Sequence, residues 1–262
     1  MQKDTVLIKK IEEVAKAAGT IMAEASGSHI KAKSGHANFC TETDEKIQEF
    51  LIKELGKIIP DAMFVGEEED MDAFTENMTH GYTFVVDPID GTSNFIYGYR
   101  PSVVSIGLLK EGAPYIGVVY NPFANEMYHA QAGCGAYMND EPISSSSSPL
   151  SDSLSVFGTA PYYTELQDRT FDLAKKLMPL CVDIRRSGTA AWDFCSVAAG
   201  RCGLYFEMRM QLWDYAAAAL IATEAGCTVT DIEGNALSYR GASSALCLSK
   251  GVSGDLDLIL NL

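Results

Sequence analysis

The sequence predicts a mixed α and β protein in two halves: an α+β domain over residues 1–143 and an α/β domain over residues 144–262. Three observations predict it. The chain opens with two amphipathic helical patterns and continues in short β-branched runs joined by turns, the layout of helices on a largely antiparallel sheet. A serine run, Ser144 to Ser148 followed by Pro149, is the low-complexity stretch and reads as a surface linker between the halves. Beyond it, strand and helix patterns alternate.

Residues 4–25 place Leu7, Ile8, Ile11, Val14, Ala15, Ala18, Met22 and Ala25 on one helical face, and Ser26-Gly27 ends that helix. The polar stretch Lys31 to Asn38 reads as a loop or short hairpin. Thr41 or Thr43 caps a second helix with Ile47, Phe50, Leu51, Leu55 and Ile58 as its buried stripe, stopped before Pro60. Short strands follow at 62–65 and 83–86, then a hairpin of 102–109 with 114–120 around Glu111-Gly112, and a strand at 125–131. The second half reads as strands at 154–157, 180–184, 203–208, 227–230 and 245–248. Helices fall at 165–178, from Ser187-Gly188-Thr189 to Gly200, at 213–225 and at the C-terminus.

Composition narrows the function. Hydrophobic residues make up 47% and charged residues 21% of the 262, an ordinary globular balance. Lys and Arg number 20 against 35 Asp and Glu, a net charge of -15, which argues against a nucleic-acid backbone as ligand and suits a protein that gathers cations. The 7 cysteines are scattered without a Cys-x-x-Cys pair, so reduced thiols are expected rather than a zinc site or disulfide framework. No His matches a metal-ligand spacing. With no signal-peptide layout and no long apolar run, a soluble cytoplasmic protein without membrane contact is expected.

The chemistry centres on Asp87-Pro88-Ile89-Asp90-Gly91-Thr92-Ser93-Asn94-Phe95. Two carboxylates are expected just past the end of the strand at 83–86, with Pro88 fixing φ between them and Gly91 allowing a sharp turn or a close ligand approach. Carboxylates for a hard cation beside N–H and hydroxyl groups for a phosphate are the parts of metal-assisted phosphoryl transfer. The same residue types also make ordinary turns. The full string resembles the signature of the inositol monophosphatase family of Mg-dependent, lithium-sensitive phosphatases.

Three further segments fit that resemblance in order. Gly66-Glu67-Glu68 follows a predicted strand; taken alone, Glu67 to Asp72 is a solvated acidic run. Thr41-Glu42-Thr43-Asp44 matches a Thr-x-x-Asp element, although Asn38 stands where the family commonly has Asp. Trp213-Asp214-Tyr215-Ala216-Ala217, followed by Thr223-Glu224-Ala225-Gly226, is similar to the C-terminal signature, with alanines and Cys227 partly replacing its glycines.

The resemblance implies a layered α-β-α-β-α sandwich, a homodimer and two or three Mg²⁺ ions. It places one ion on Glu67, Asp87 and the Ile89 carbonyl, a second on Asp87, Asp90 and Asp214, and a weaker third near Glu67. Glu67 and Thr92, the latter bonded to Asp44, would activate water. Gly91, Thr92 and Ser93 would cradle phosphate. Asp90, Gly188, Thr189, Ala190, Glu207 and Asp214 would contact a polyol. Glu207 reads equally as a solvent-facing acid at a strand end. Arg185 and Arg186 are expected at the surface or a dimer interface, and no basic cluster for a second phosphate is evident. The implied substrate is a small phosphate ester, myo-inositol monophosphate first. Fructose 1,6-bisphosphate, histidinol phosphate and nucleotide phosphates such as NADP are alternatives within the fold, and a non-catalytic binding protein is a further one.

Overall fold

Helix α1 (Thr5–Glu24) forms on the predicted apolar face and starts at Asp4, whose carboxylate accepts from the Leu7 amide at 3.1 Å. The computed structural model describes residues 4–25, 30–32, 39–68 and 76–262. The loop at Lys33–Asn38, the helix stop at Ser26-Gly27 and the acids Glu69, Asp70 and Asp72 lie outside the described residues. Short strands β1 (Ile30–Ala32) and β2 (Phe39–Thr41) pair antiparallel, and α2 (Glu42–Ile58) follows directly.

The first sheet holds β3 (Met63–Gly66), β4 (Tyr82–Asp90), β5 (Val103–Lys110), β6 (Ala113–Asn121), β7 (Glu126–Gln131), β8 (Ala136–Met138) and β9 (Glu141–Ile143), side by side in that order. Only β3 and β4 run parallel. Glu111 and Gly112 both have positive φ in the predicted two-residue hairpin turn, and Asn139-Asp140 makes a second such turn that the sequence reading did not include. A short helix α3 (Thr92–Tyr97) leaves β4.

In the second half, β10 (Leu154–Phe157), β11 (Asp183–Arg185), β12 (Leu204–Met210), β13 (Thr228–Thr230) and β14 (Ser243–Leu248) form a sheet ordered β11-β10-β12-β14-β13. It is mixed rather than wholly parallel, because β14 runs antiparallel to both of its neighbours. Its helices are α4 (Gln167–Leu177), α5 (Ala190–Ala198), α6 (Leu212–Glu224) and α7 (Leu256–Leu260). The serine run is not a free surface linker. Ser145 is buried, and its amide donates to the Ala225 carbonyl at 3.0 Å.

Strand alternation assigns the layers. Phe84 and Val86 on β4 pack with Ile8, Ile11, Ile47 and Leu51 of α1 and α2, whereas Val85 faces the core that holds α5 and α6. Tyr205 of β12 faces the same α5–α6 core, while Leu204 and Phe206 pack with Leu173, Leu177 and Ile259 of α4 and α7. The result is the α-β-α-β-α sandwich, with α5 and α6 between the two sheets. Helix α6 is apolar all round because both of its sides are buried.

One polar cluster sits at the α1–sheet contact. Glu12 Oε1 lies 2.5 Å from His129 Nδ1, Lys9 Nζ lies 2.7 Å from Glu12 Oε2, and Lys9 also pairs with Asp140. Burial by itself would raise the Glu12 pKa; hydrogen bonds from His129 and Lys9, with their charges, outweigh it and lower it. A lowered carboxylate contributes stability that is present above its unfolded value, about 4.3, and is lost as pH falls through the folded value. Glu12→Gln is therefore expected to cost about 3 kcal/mol at pH 7, the scale of breaking a buried pair, with a smaller deficit near pH 4. Urea unfolding at the two pH values measures it; equal stability at pH 7 would refute the assignment.

Candidate active site

Asp87 and Asp90 do not lie past the end of their strand, as the sequence reading had it; β4 runs through both. In a regular strand, residues three apart face opposite sides. Here Asp87 pairs with Ser105 but Asp90 with Val103, so β4 spends one extra residue in a bulge. Ile89 consequently turns to the α1–α2 core beside Val86, and Asp90 returns to the α5–α6 side with Asp87. Pro88, which has no N–H to donate, sits where the ladder is interrupted. The Ile89 amide donates to Asp87 Oδ1 at 3.0 Å.

Asp214 arrives from the other half of the chain. Alanines let α6 lie close on the first sheet: a Cβ placed on Gly117 of β6 would fall 2.4 Å from the Ala217 carbonyl oxygen. That docking brings the N-terminus of α6 over β4 and β5, where Ser105 Oγ donates to the Trp213 carbonyl at 3.4 Å. Asp214 occupies the N3 position of a capping box, its Oδ2 accepting from the Gln211 amide at 2.6 Å. Asp90 is held by α5, accepting from the amides of Ala190 at 3.3 Å and Ala191 at 2.6 Å.

Glu67 follows β3, whose parallel register sets Gly66 against Val86 and so brings Glu67 level with Asp87. Glu67, Asp87, Ile89, Asp90 and Asp214 line one cavity of about 320 Å³, together with Gly91, Thr92, Ser93, Gly188, Thr189, Ala190 and Glu207. Asp44, fully buried at the start of α2, accepts from Thr92 Oγ1 at 3.2 Å; the same hydroxyl lies 3.0 Å from the Ile89 carbonyl. Every sequence-predicted site residue thus lies on this cavity or, for Asp44, one hydrogen bond behind it.

Burial pushes the carboxyls of Asp87, Asp90 and Asp214 well up from their usual values. Glu67 and Asp90 add to the rise at Asp87, Asp90 and Glu67 to that at Asp214, and Asp193 and Glu207 to that at Asp90. Such a set stays ionised together only when positive charge is supplied. All-oxygen, carboxylate-rich donors fit a hard divalent cation such as Mg²⁺. The acids ring the cavity rather than meet at a point. Among the described residues, Glu12, His129 and Asp140 form the group of acid and imidazole ligand atoms that all lie within 4.8 Å of one another. Lys9 already supplies the cation there.

The Inositol monophosphatase family profile matches residues 3–255. The chain belongs to the inositol monophosphatase family. Inositol monophosphatase 1 of Sus scrofa is 33% identical over 262 aligned residues, covering 94% of this chain and 92% of the relative. The Nus factor SuhB of Xylella fastidiosa is also 33% identical, over 239 residues covering 89% and 84%. The crystal structure of extragenic suppressor protein suhB from Bartonella henselae superposes with a TM-score of 0.87 at 30% identity, covering 97% of this chain and 98% of that one.

Several cavity residues of this family member escaped the sequence reading. Asp193 on α5 is buried and lines the cavity; burial raises its pKa well above the usual range, against a hydrogen bond from Ser187. An acid amid Ala-Ala-Trp and Phe-Cys on an apolar helix was the available signal. Asn94 ties the turn after β4 to the segment before α5, its amide reaching the carbonyls of Pro101 at 2.8 Å and Ser187 at 2.9 Å and Thr189 Oγ1 at 3.0 Å. Glu207 is not solvent-facing. It is buried, accepting from Tyr205 at 2.7 Å and the Ala160 amide at 2.9 Å, and burial raises its pKa. Arg186, expected at the surface or a dimer interface, is exposed and lines the cavity, as does Arg209. Arg185 is exposed and pairs with Asp183.

Proposed function

We propose that this chain is a Mg²⁺-dependent phosphomonoester hydrolase acting on a polyol or sugar phosphate, with myo-inositol monophosphate as the reference substrate. The observation that carries the reading is the convergence of buried Asp87, Asp90 and Asp214 with Glu67 on a cavity that also presents Gly91, Thr92 and Ser93. Glu67, Asp87 and the Ile89 carbonyl would hold one Mg²⁺, and Asp87, Asp90 and Asp214 a second, with a third near Glu67. When bound, the ions supply charge neutralisation and lower the pKa of bound water.

The chain's own residues do the rest. The Thr92 hydroxyl has one proton and two acceptors; donating it to Asp44 leaves the oxygen free to accept from an attacking water. Glu67 would share in taking that proton. Amides of Gly91 and Thr92, at the start of α3, would hold the phosphate oxygens. Asp90, Ala190 and Glu207 would receive the hydroxyls of the polyol.

Phosphate release from myo-inositol 1-phosphate with and without Mg²⁺ tests the reading; Mg²⁺-dependent release is expected, and none from a panel of phosphomonoesters would defeat it. Thr92→Ala is expected to lower kcat by about 10²-fold with little change in KM, the scale of lost proton transfer. A non-catalytic binding role is the second reading, kept because the relative named Nus factor SuhB is as similar to this chain as inositol monophosphatase 1 is. The complete carboxylate set favours catalysis, and the same assay separates the two. The reading includes a cytoplasmic homodimer, as the family implies; sedimentation at two protein concentrations reads the assembly.

A further inference from the structure

The cavity also has a wall of different chemistry. It is made by the segment after β10, by Arg186 and by the end of β12. The segment is held tightly. Ala160 adopts φ +40, a conformation that residues with a side chain rarely take, and its amide anchors Glu207 at 2.9 Å. A Cβ on Gly158 would fall 1.9 Å from the Glu207 carboxylate, so no larger residue lets the segment lie there. The turn presents Tyr163, whose hydroxyl accepts from Gln211 Nε2 at 3.1 Å and whose ring carries the Arg209 guanidinium 4.7 Å above its centroid. Arg186 is fixed from the other side by Thr159 Oγ1, at 3.2 Å from Nε and 3.1 Å from a terminal nitrogen.

Both arginines are exposed at this wall, and among the described residues neither forms a salt bridge. The charge of Arg186 reaches the buried carboxyls of Asp193 and Glu207 without closing an ion pair, so both guanidinium groups keep donors for an anion from outside. The phosphate to be cleaved belongs beside Gly91 and Thr92. Guanidinium forks match carboxylate and phosphate oxygens in geometry as well as charge.

We propose that the alcohol portion of the substrate carries a second oxyanion, a carboxylate or a phosphate, bound between Arg186 and Arg209 beside Tyr163. This rests on the phosphomonoesterase reading and narrows its substrate class. It also revises the sequence expectation of no basic cluster for a second anionic group, since the two arginines come from separate segments and line the same cavity.

Two matched substrate pairs test it, at saturating Mg²⁺: glucitol 6-phosphate against 6-phosphogluconate, and fructose 1-phosphate against fructose 1,6-bisphosphate. The expected result is a kcat/KM at least about tenfold higher for the charged member of one pair, one well-made charged contact being worth about that. Its KM should rise between 50 and 500 mM NaCl more than that of its neutral partner. The double variant R186Q/R209Q should bring the charged-to-neutral ratio towards one, chiefly through KM. Near-UV circular dichroism reports whether the variant is folded, and the salt dependence of the wild type stands without it. Turnover with no preference in either pair, or an equal loss on both members in the variant, overturns the proposal alone. Release from myo-inositol 1-phosphate but from none of the four also overturns the proposal alone; no release from any of the five takes the hydrolase reading down with it.

Discussion

Asp214→Asn is expected to lower phosphate release by at least about 10³-fold while making the metal-free protein more stable. The first effect follows from losing a carboxylate that the second ion needs, since metal charge stabilisation is worth several kcal/mol and each 1.36 kcal/mol is tenfold in rate. The second follows from the folded state itself. Burial, with Asp90 and Glu67 nearby, raises the Asp214 pKa well above its usual value. A raised carboxyl leaves its stability contribution intact below the unfolded pKa, about 3.9, and that contribution is lost as pH rises through the folded value. Asparagine has no such loss, and its side-chain oxygen can still accept from the Gln211 amide that Oδ2 now holds at 2.6 Å. The variant's advantage in melting temperature should therefore grow from pH 4 to pH 8 without metal. Mg²⁺ should restore the wild type, with a larger thermal shift at pH 8 than at pH 5, because binding then competes with fewer protons. Thermal scans of both proteins with and without Mg²⁺ decide it. Wild-type turnover in the variant, or lower stability at every pH, contradicts the metal assignment.

Gly91→Ala should cost both stability and rate. Gly91 sits at φ +89, where an alanine is strained by roughly 1–2 kcal/mol. Its Cβ would also lie 2.4 Å from Thr189 Oγ1 and 3.2 Å from the Pro101 carbonyl oxygen. Neither neighbour can move freely, because Thr189 Oγ1 donates to that carbonyl at 3.0 Å and the Asn94 amide reaches both. Pushing Thr189 away displaces Ala190 and Ala191, whose amides orient Asp90. A loss of about 2–3 kcal/mol, or roughly 5–10 °C in Tm, is expected. A fall in kcat of about 10²-fold should accompany it, the scale of a small misplacement of reacting groups. Differential scanning fluorimetry and the phosphate assay measure the two; wild-type values in both would show that this turn is not a fitted cradle.

The helices and most strands were legible because each repeats its apolar residues at the period of its own backbone. The Ile8-Ile11-Ala15-Ala18-Met22 stripe on α1 is buried as read. The strand at 180–184 was misplaced: the chain makes a 3-10 turn at Met178–Leu180, and the strand is Asp183–Arg185. The capped start of α6 was readable; its place between two sheets was not, because an all-apolar helix carries no directional stripe. The Asp87–Asp90 pair was identified by residue type, yet its common face was not deducible, since the alternation of a strand predicts opposite faces and only the bulge reverses one of them.

The sequence alone determined which residues could do the chemistry. Acids, a glycine turn and hydroxyls in one ordered string, with three more segments in sequence, point to a family because local spacing is written into the chain. Tertiary structure alone decided what surrounds them. Glu207 became a buried acceptor, Asp193 joined the cavity, and Arg186 came to the same wall as Arg209. The physical reason is that burial and charge pairing depend on which distant segments pack together, here through the docking of α5 and α6 between two sheets. No periodicity along one segment encodes that choice.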